Sequence, residues 1–200
     1  MRAIGRNPDE VAIVAVTKGF PAGVCQAALD AELTILGENR VQEALEKMEV
    51  VAGAKWHLIG HLQTNKVRHA AGRFALIQTV DSLHMAEAVA RIAPAQAVLV
   101  QVNVAREPQK SGADPDHALE LIHAVSNRLD LQGLMGMGPL RGDPTPAFLE
   151  LARLRDDAQQ RIGRRLPVLS MGMSGDFEAA LSAGSSMLRL GQALFGPRPT

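Results

Sequence analysis

The sequence predicts an α/β protein folded as a single (β/α)8 barrel of the TIM type over residues 1–200. Strand-like and helix-like segments alternate along the chain, and eight segments have the length and apolar character of strands. No two-residue hairpin signal joins them, so consecutive strands are expected to pair in parallel through crossovers, and eight such units close into a barrel. The alternative is an open doubly wound sheet. That fold normally has a Gly-rich turn after its first strand, where this chain has Thr17-Lys18-Gly19-Phe20.

The strands are predicted from short apolar runs, many of them rich in β-branched residues. Residues 97–104 are the clearest example, because Val98, Val100 and Val102 leave little polar surface to face water. The eight predicted strands cover residues 11–17, 33–37, 56–60, 74–80, 97–104, 131–137, 168–173 and 186–190.

The helices between the strands are predicted from helix-start residues and from apolar residues at helical spacing. Pro21 suits the first helical position of the first one, and Asp81 or Ser82 would cap a helix that ends at Ile92. The other predicted helices cover residues 22–31, 38–51, 64–72, 115–127, 145–163 and 176–183.

Composition and charge exclude several classes of function. The 21 basic and 21 acidic residues balance, and aromatic residues make up only 3% of the chain, so neither nucleic acid nor a membrane surface is an expected partner. The single cysteine, Cys25, excludes an intrachain disulfide framework. Residues 1–8 lack the apolar core of a secretion signal, and a cytoplasmic protein is therefore expected.

Lys18 stands at the carboxyl end of the first predicted strand. The carboxyl ends of barrel strands are the face at which functional sites assemble, and partial desolvation there lowers the pKa of an amine toward its nucleophilic neutral form. A strand-end lysine that extends into solvent is the alternative for this segment taken alone.

Other polar residues stand at predicted strand ends and are expected to converge with Lys18. Phosphate sites in barrels often follow strands seven and eight. Here the two turns, residues 171–176 and 189–193, contain the small residues that a backbone anion site needs, although each turn alone is also typical of a tight connection. The converging set is Lys18, Asn39, residues 57–61, Asp81, Asn103, Met135, Ser174 and Arg189.

A reactive lysine opposite a phosphate site suggests a ligand with an aldehyde at one side and a phosphate at the other. Pyridoxal 5′-phosphate (PLP) fits that description, with the Lys18 amine forming an internal aldimine. Arg189 is the candidate to face the pyridine nitrogen. Because an arginine stays protonated, it donates to the ring nitrogen without transferring a proton, which makes the ring a weaker electron sink.

Seven stretches of the sequence match a known family: VAVTK (14–18), GENRVQE (37–43), WHLIGHLQTNK (56–66), QVNV (101–104), GLM (133–135), LSMGMS (169–174) and RLGQALFG (189–196). In these stretches the chain resembles the pyridoxal phosphate homeostasis protein family, barrels similar to the amino-terminal domain of alanine racemase. The resemblance implies that Lys18 carries the aldimine, that Ser174 with the backbone of Gly191 and Gln192 holds the phosphate, and that Arg189 meets the pyridine nitrogen.

The same resemblance implies that Met135 packs near the cofactor ring and that Asn39 and His57 line the mouth of the site. The helix that usually precedes the first strand in this family is expected to be short here. At Gln192 the phosphate contact is expected from the backbone.

The expected function is buffering or delivery of PLP inside the cell by a monomer, with PLP-dependent apo-enzymes as possible recipients and without strong catalytic activity. A PLP-dependent amino-acid racemase is the alternative. A racemase needs an acid and a base on opposite faces of the substrate carbon, and in alanine racemases one of these is a tyrosine from another domain. This chain has no tyrosine, although any aldimine permits weak side activity on amino acids.

Three further hypotheses concern other residues. His57 and His61 would share one face of a strand and suggest a metal hydrolase, but no other metal ligands are evident, so no metal is expected. Lys110, in the loop after strand five, is either a secondary contact to an anion or cofactor or an ordinary loop lysine. The basic third helix is either an RNA contact or a solvated face; its residues are Lys66, Arg68, His69 and Arg73.

Overall fold

The computed structural model describes residues 6–197 and contains a closed barrel of eight parallel strands. The strands follow one another around the barrel in chain order, and the last pairs with the first, Val14 lying opposite Arg189. This confirms the predicted (β/α)8 fold and excludes an open sheet. The strands are β1 (Ala12–Val16), β2 (Ile35–Glu38), β3 (Lys55–Leu58), β4 (Leu76–Val80), β5 (Ala97–Val102), β6 (Asp130–Gly136), β7 (Val168–Ser170) and β8 (Met187–Leu190).

The helices lie outside the barrel. Ser82 caps the fourth, since its side chain accepts a hydrogen bond from the Met85 N–H. Among residues 6–197, none of the helices combines the length and the hydropathy that a transmembrane span requires. The helices are α1 (Ala22–Asp30), α2 (Val41–Met48), α3 (Val67–Ala70), α4 (Leu83–Ile92), α5 (Ala118–Ser126), α6 (Thr145–Ile162), α7 (Phe177–Ser182) and α8 (Gln192–Phe195).

Several predicted helix boundaries are wrong. Glu38 ends β2 instead of opening α2, because its backbone pairs with Leu58 on β3 and its carbonyl accepts from the Ile59 N–H. Pro21 occupies the N-cap of α1 and not the first helical position. The segment predicted as a helix at 64–72 begins as a 3-10 turn (Thr64–Lys66) and continues as the short α3.

Before β1, Pro8–Glu10 form a 3-10 turn whose N-cap is Asn7. The prediction of a short helix ahead of the first strand rests partly on residues 1–5, which lie outside the described residues.

Two apolar clusters hold the fold together. The larger lies between the barrel and its helices and includes the fully buried Leu36, Phe148 and Leu151. The smaller fills the barrel interior and consists of the buried residues Val14, Leu76, Leu99, Met135 and Met187, with partly buried neighbours. The interior is therefore packed, as expected for an eight-stranded barrel, and a ligand can enter only at an end.

Candidate functional site

A cavity of about 820 Å³ opens at the carboxyl ends of the strands. Its volume lies within the range of pockets that hold small organic ligands. It is lined by residues from the ends of β1, β6 and β8 and from the loops that follow β1, β2, β3, β6, β7 and β8. Of the eight residues that the family resemblance assigns to the cofactor site, seven line this cavity: Lys18, Asn39, Met135, Ser174, Arg189, Gly191 and Gln192. Asp81 and Asn103, which the sequence also predicts to converge with Lys18, do not line it.

Arg189 lies on β8 and projects into the barrel beneath this cavity. Only 5% of the residue is exposed. Its Nη1 donates to Ser170 Oγ at 2.7 Å, and its Nη2 donates to the carbonyl oxygen of Gly136 at 2.9 Å. Burial lowers the pKa of Arg189 to about 10, against the opposing effect of Asp176, so the guanidinium remains a cation at neutral pH. These bonds hold one fixed positive charge at the floor of the cavity.

A chain of hydrogen bonds continues from Arg189 across the barrel interior. An arginine can only donate, so Ser170 Oγ must accept from it, and the single Ser170 proton goes to Gln78 Oε1 at 2.7 Å. The amide nitrogen of Gln78 then faces His57 Nδ1 at 3.0 Å and donates to it. His57 is therefore neutral, with its proton on Nε2. Burial also lowers the pKa of His57 to about 4, the charge of Lys55 contributing less.

The prediction that His57 lines the mouth is wrong. Its ring lies in the interior, 5% exposed, and does not border the cavity. Side chains two residues apart on a strand share a face, so Ile59 stands one layer above His57. Ile59 takes the lining position instead.

The turns after β7 and β8 meet at one side of the cavity. The Ala193 N–H donates to Ser174 Oγ at 3.0 Å, which ties the start of α8 to the β7 turn. Gly172 has a φ of +96°, and a Cβ there would lie 2.6 Å from the Ala180 Cβ, so the β7 turn requires glycine. A Cβ at Gly191 would lie 3.3 Å from the carbonyl oxygen of Val16, so this turn packs closely on β1.

The loop that carries Lys18 forms the part of the cavity wall next to the β8 turn. Lys18 is partly buried, and its loop leads to the buried Phe20. The Phe20 ring packs on Phe195 of α8 with the ring centroids 5.6 Å apart. This contact brings the Lys18 loop beside the β8 turn.

Sequence reasoning missed the apolar lining of the cavity. Met137 could have been found, because it lies two residues from Met135 and so shares its face of the chain. The interior partners Gln78 and Ser170 left no comparable signal in the sequence. The missed lining side chains are Val16, Phe20, Met137 and Met173, whereas Ile59 falls within the predicted segment 57–61.

The residues of the metal hypothesis fall in different environments. His57 is buried, whereas the His61 side chain is 53% exposed and lies 3.5 Å from Asp81. Across residues 6–197, no three or more His, Cys, Asp or Glu side chains are grouped in a way that could hold a metal ion.

Lys110 lies at an adjoining cavity of about 340 Å³, which shares Met137, Met173 and Gly175 with the main one. Its Nζ donates to the Gly138 carbonyl and pairs with Glu107 at 2.9 Å.

Comparison with known proteins agrees with this architecture. The alanine racemase N-terminal domain family matches residues 1–199. Alanine racemase of Clostridium difficile 630 superposes with a TM-score of 0.81 over all of this chain and 58% of its own; at 15% identity, this likeness concerns the fold alone. Fold and matched residues together define the class: a barrel of the alanine racemase N-terminal domain type.

Relatives at higher identity narrow the class. Pyridoxal phosphate homeostasis protein of Escherichia coli K12 is 39% identical over 97% of this chain and 88% of its own length, and that of Aquifex aeolicus is 37% identical over 97% and 90%. A solved structure of PipY from Synechococcus elongatus PCC7942 with PLP bound is 34% identical, with a TM-score of 0.87 over 98% of this chain and 97% of that one. The chain belongs to the pyridoxal phosphate homeostasis protein family.

Proposed function

We propose that the protein binds PLP in the cavity at the carboxyl ends of the strands and acts in PLP homeostasis. The observation that carries this proposal is the convergence on one cavity of Lys18, the β7 and β8 turns and the buried cation Arg189. The E. coli and A. aeolicus relatives are named pyridoxal phosphate homeostasis proteins, and PipY has been solved with PLP bound.

Lys18 is proposed to attach the cofactor. The unprotonated Nζ adds to the PLP aldehyde carbon, and loss of water leaves an internal aldimine. PLP itself supplies an electron-withdrawing ring. Lys18 is partly buried and lines the wall of the cavity, and both observations suit this role.

The other lining residues are proposed to orient the cofactor. Ser174 and the backbone of Gly191 and Gln192 hold the phosphate, on the side where the two turns are tied together. Arg189 donates to the pyridine nitrogen. Met135 packs near the ring, and Asn39 borders the mouth. His57 acts only indirectly, at the far end of the chain of hydrogen bonds that begins at Arg189.

A carrier or buffer of PLP suits this site better than a racemase. Arg189 keeps its proton at neutral pH, since even the lowered pKa is about 10, and a permanent cation cannot protonate the ring as an acid does. The sequence also contains no tyrosine that could serve as the second acid or base. We therefore propose that the protein stores PLP or passes it to PLP-dependent apo-enzymes.

Covalent trapping of PLP tests the attachment point. We expect unmodified protein incubated with PLP to absorb in the visible range and, after borohydride reduction, to carry the cofactor on the peptide that contains Lys18. Lys18→Ala should lose the reducible link. Lys55→Ala is the matched control, because Lys55 is exposed at the start of β3, at the opposite end of the barrel, and should leave the link unchanged.

Two outcomes would contradict the proposal. Full trapping on another lysine of the Lys18→Ala variant would remove Lys18 from the site. Steady interconversion of D- and L-alanine by the PLP-loaded protein would favour the racemase over the carrier.

A further inference from the structure

Both peptide groups that flank Lys18 are held by side chains of α2. The carbonyl oxygen of Thr17 accepts a hydrogen bond from Lys47 Nζ at 2.9 Å. The N–H of Gly19 donates to Glu43 Oε1 at 2.6 Å. Glu43 and Lys47 stand one helical turn apart and pair with each other at 2.8 Å. A single turn of α2 therefore holds the backbone immediately before and immediately after Lys18.

Buried groups complete this cluster. Lys47 Nζ also donates to Glu38 Oε1 at 2.7 Å, and the same oxygen accepts from Thr17 Oγ1 at 2.6 Å. With Thr17 O, Glu38 and Glu43 as acceptors, all three protons of the ammonium are engaged. Glu38 is fully buried, and its Oε2 has no hydrogen-bond partner among residues 6–197.

The charges in the cluster are coupled. Burial works against the charged form of each group, yet the hydrogen bonds between Lys47 and its two carboxylates raise the pKa of Lys47. The bonds to Lys47 and to Gly19 lower the pKa of Glu43, whereas burial raises the pKa of Glu38. Lys47 and Glu43 are thus a charged pair at neutral pH.

The partly buried pair Lys47–Glu43 is a poor source of stability, because the cost of removing charge from water offsets the attraction between the two groups. An apolar contact between α2 and β1 would have joined these elements as well. The polar cluster instead fixes the position of the Lys18 loop, because its hydrogen bonds end on the backbone of that loop.

We propose that Glu43 and Lys47 are positioning residues that orient Lys18 toward the cavity. Gly19 has a φ of +75°, and glycine also adopts many other backbone conformations, so contacts to its peptide group restrict the loop. The Phe20 N–H donates to the Thr17 carbonyl oxygen within the loop at 3.0 Å, and the Glu43 carboxylate adds a contact from outside it. This inference rests on the proposed role of Lys18 as the attachment point for PLP.

Three variants of the full chain test the proposal. Glu43→Ala removes the acceptor of the Gly19 N–H, and Glu43→Gln keeps an oxygen in its place. Glu46→Ala changes an exposed acid on the same helix and serves as the matched control. The rate of formation of the borohydride-reducible link to Lys18 is measured for each, together with the thermal unfolding midpoint and the amide exchange rate of Gly19.

We expect Glu43→Ala to form the link on the order of tenfold more slowly, since a hydrogen bond to a charged group is lost. Glu43→Gln should recover most of the rate, and Glu46→Ala should match the unmodified protein. In the unmodified protein the Gly19 amide should exchange slowly although the residue is exposed, and Glu43→Ala should accelerate that exchange.

Equal rates for Glu43→Ala and Glu46→Ala would overturn this inference and leave the proposed function intact. Rapid exchange of Gly19 in the unmodified protein would also overturn it, and that measurement needs no variant to fold. Absence of any link to Lys18 in the unmodified protein would instead overturn the proposed function, and this inference with it.

Discussion

The neutral, buried His57 predicts a specific loss of stability in mild acid. In the folded protein its pKa is lowered to about 4, chiefly by burial, whereas the ordinary histidine value is 6.5. As the pH falls below about 6.5, His57 therefore binds a proton in the unfolded chain but not in the folded chain. The contribution of His57 to stability is complete above that pH and is lost as the pH falls toward about 4.

The size of this effect follows from the two pKa values. Each pH unit between them costs about 1.4 kcal/mol, and the loss accumulated between pH 7 and pH 5 is about 2 kcal/mol. The variant His57→Gln removes the titrating group and keeps an oxygen that accepts from Gln78 Nε2, the donor that now faces the ring.

The assay is urea unfolding at pH 7 and pH 5, with the free energy of unfolding extrapolated to water. We expect the free energy of the unmodified protein to fall by about 2 kcal/mol more than that of His57→Gln between these pH values. His84→Gln is the matched control, because His84 is exposed on α4. If the free energy of unfolding changed equally with pH in the unmodified protein and in His57→Gln, the conclusion that His57 stays neutral in the folded protein would be refuted.

Two further predictions concern the interior and the β3 turn. Ser170→Ala leaves two buried polar partners without a hydrogen bond and should lower the free energy of unfolding by about 2–5 kcal/mol, whereas the exposed Ser182→Ala should change it by less than about 0.5 kcal/mol in urea unfolding. Gly60→Ala would place a Cβ 2.2 Å from the carbonyl oxygen of Asn39, so we expect a loss of about 1–3 kcal/mol by the same assay. Gly23→Ala, in open space on α1, should instead stabilise the protein by about 0.5–1 kcal/mol. If Ser170→Ala or Gly60→Ala had the same free energy of unfolding as the unmodified protein, the contacts described for that residue would be contradicted.

Much of the fold could be predicted because its signals are local. A β-branched run such as residues 97–104 favours a strand wherever it occurs, and the β7 turn requires Gly172 by its own backbone conformation. Lys18 and Arg189 could be assigned to the site for the same reason. Each stands at or near the end of a recognisable strand, and the ends of parallel strands in a barrel meet at one face.

The helix boundary at Glu38 could not be predicted, because its outcome depends on another element. Glu38 begins a stretch that suits a helix, and only its pairing with Leu58 on β3 keeps it in a strand. The same pairing directs its carboxylate to Thr17 and Lys47, where it joins the cluster that holds the Lys18 loop.

The sequence by itself determined the eight strand-and-helix units and which residues stand near strand ends. Only the tertiary structure decided the height of each side chain within the barrel. His57 and Ile59 share a face, and the stagger of the strands places the first in the interior and the second at the mouth. The bond from Ser170 to Gln78 joins residues 92 positions apart, so it exists only once the barrel has closed.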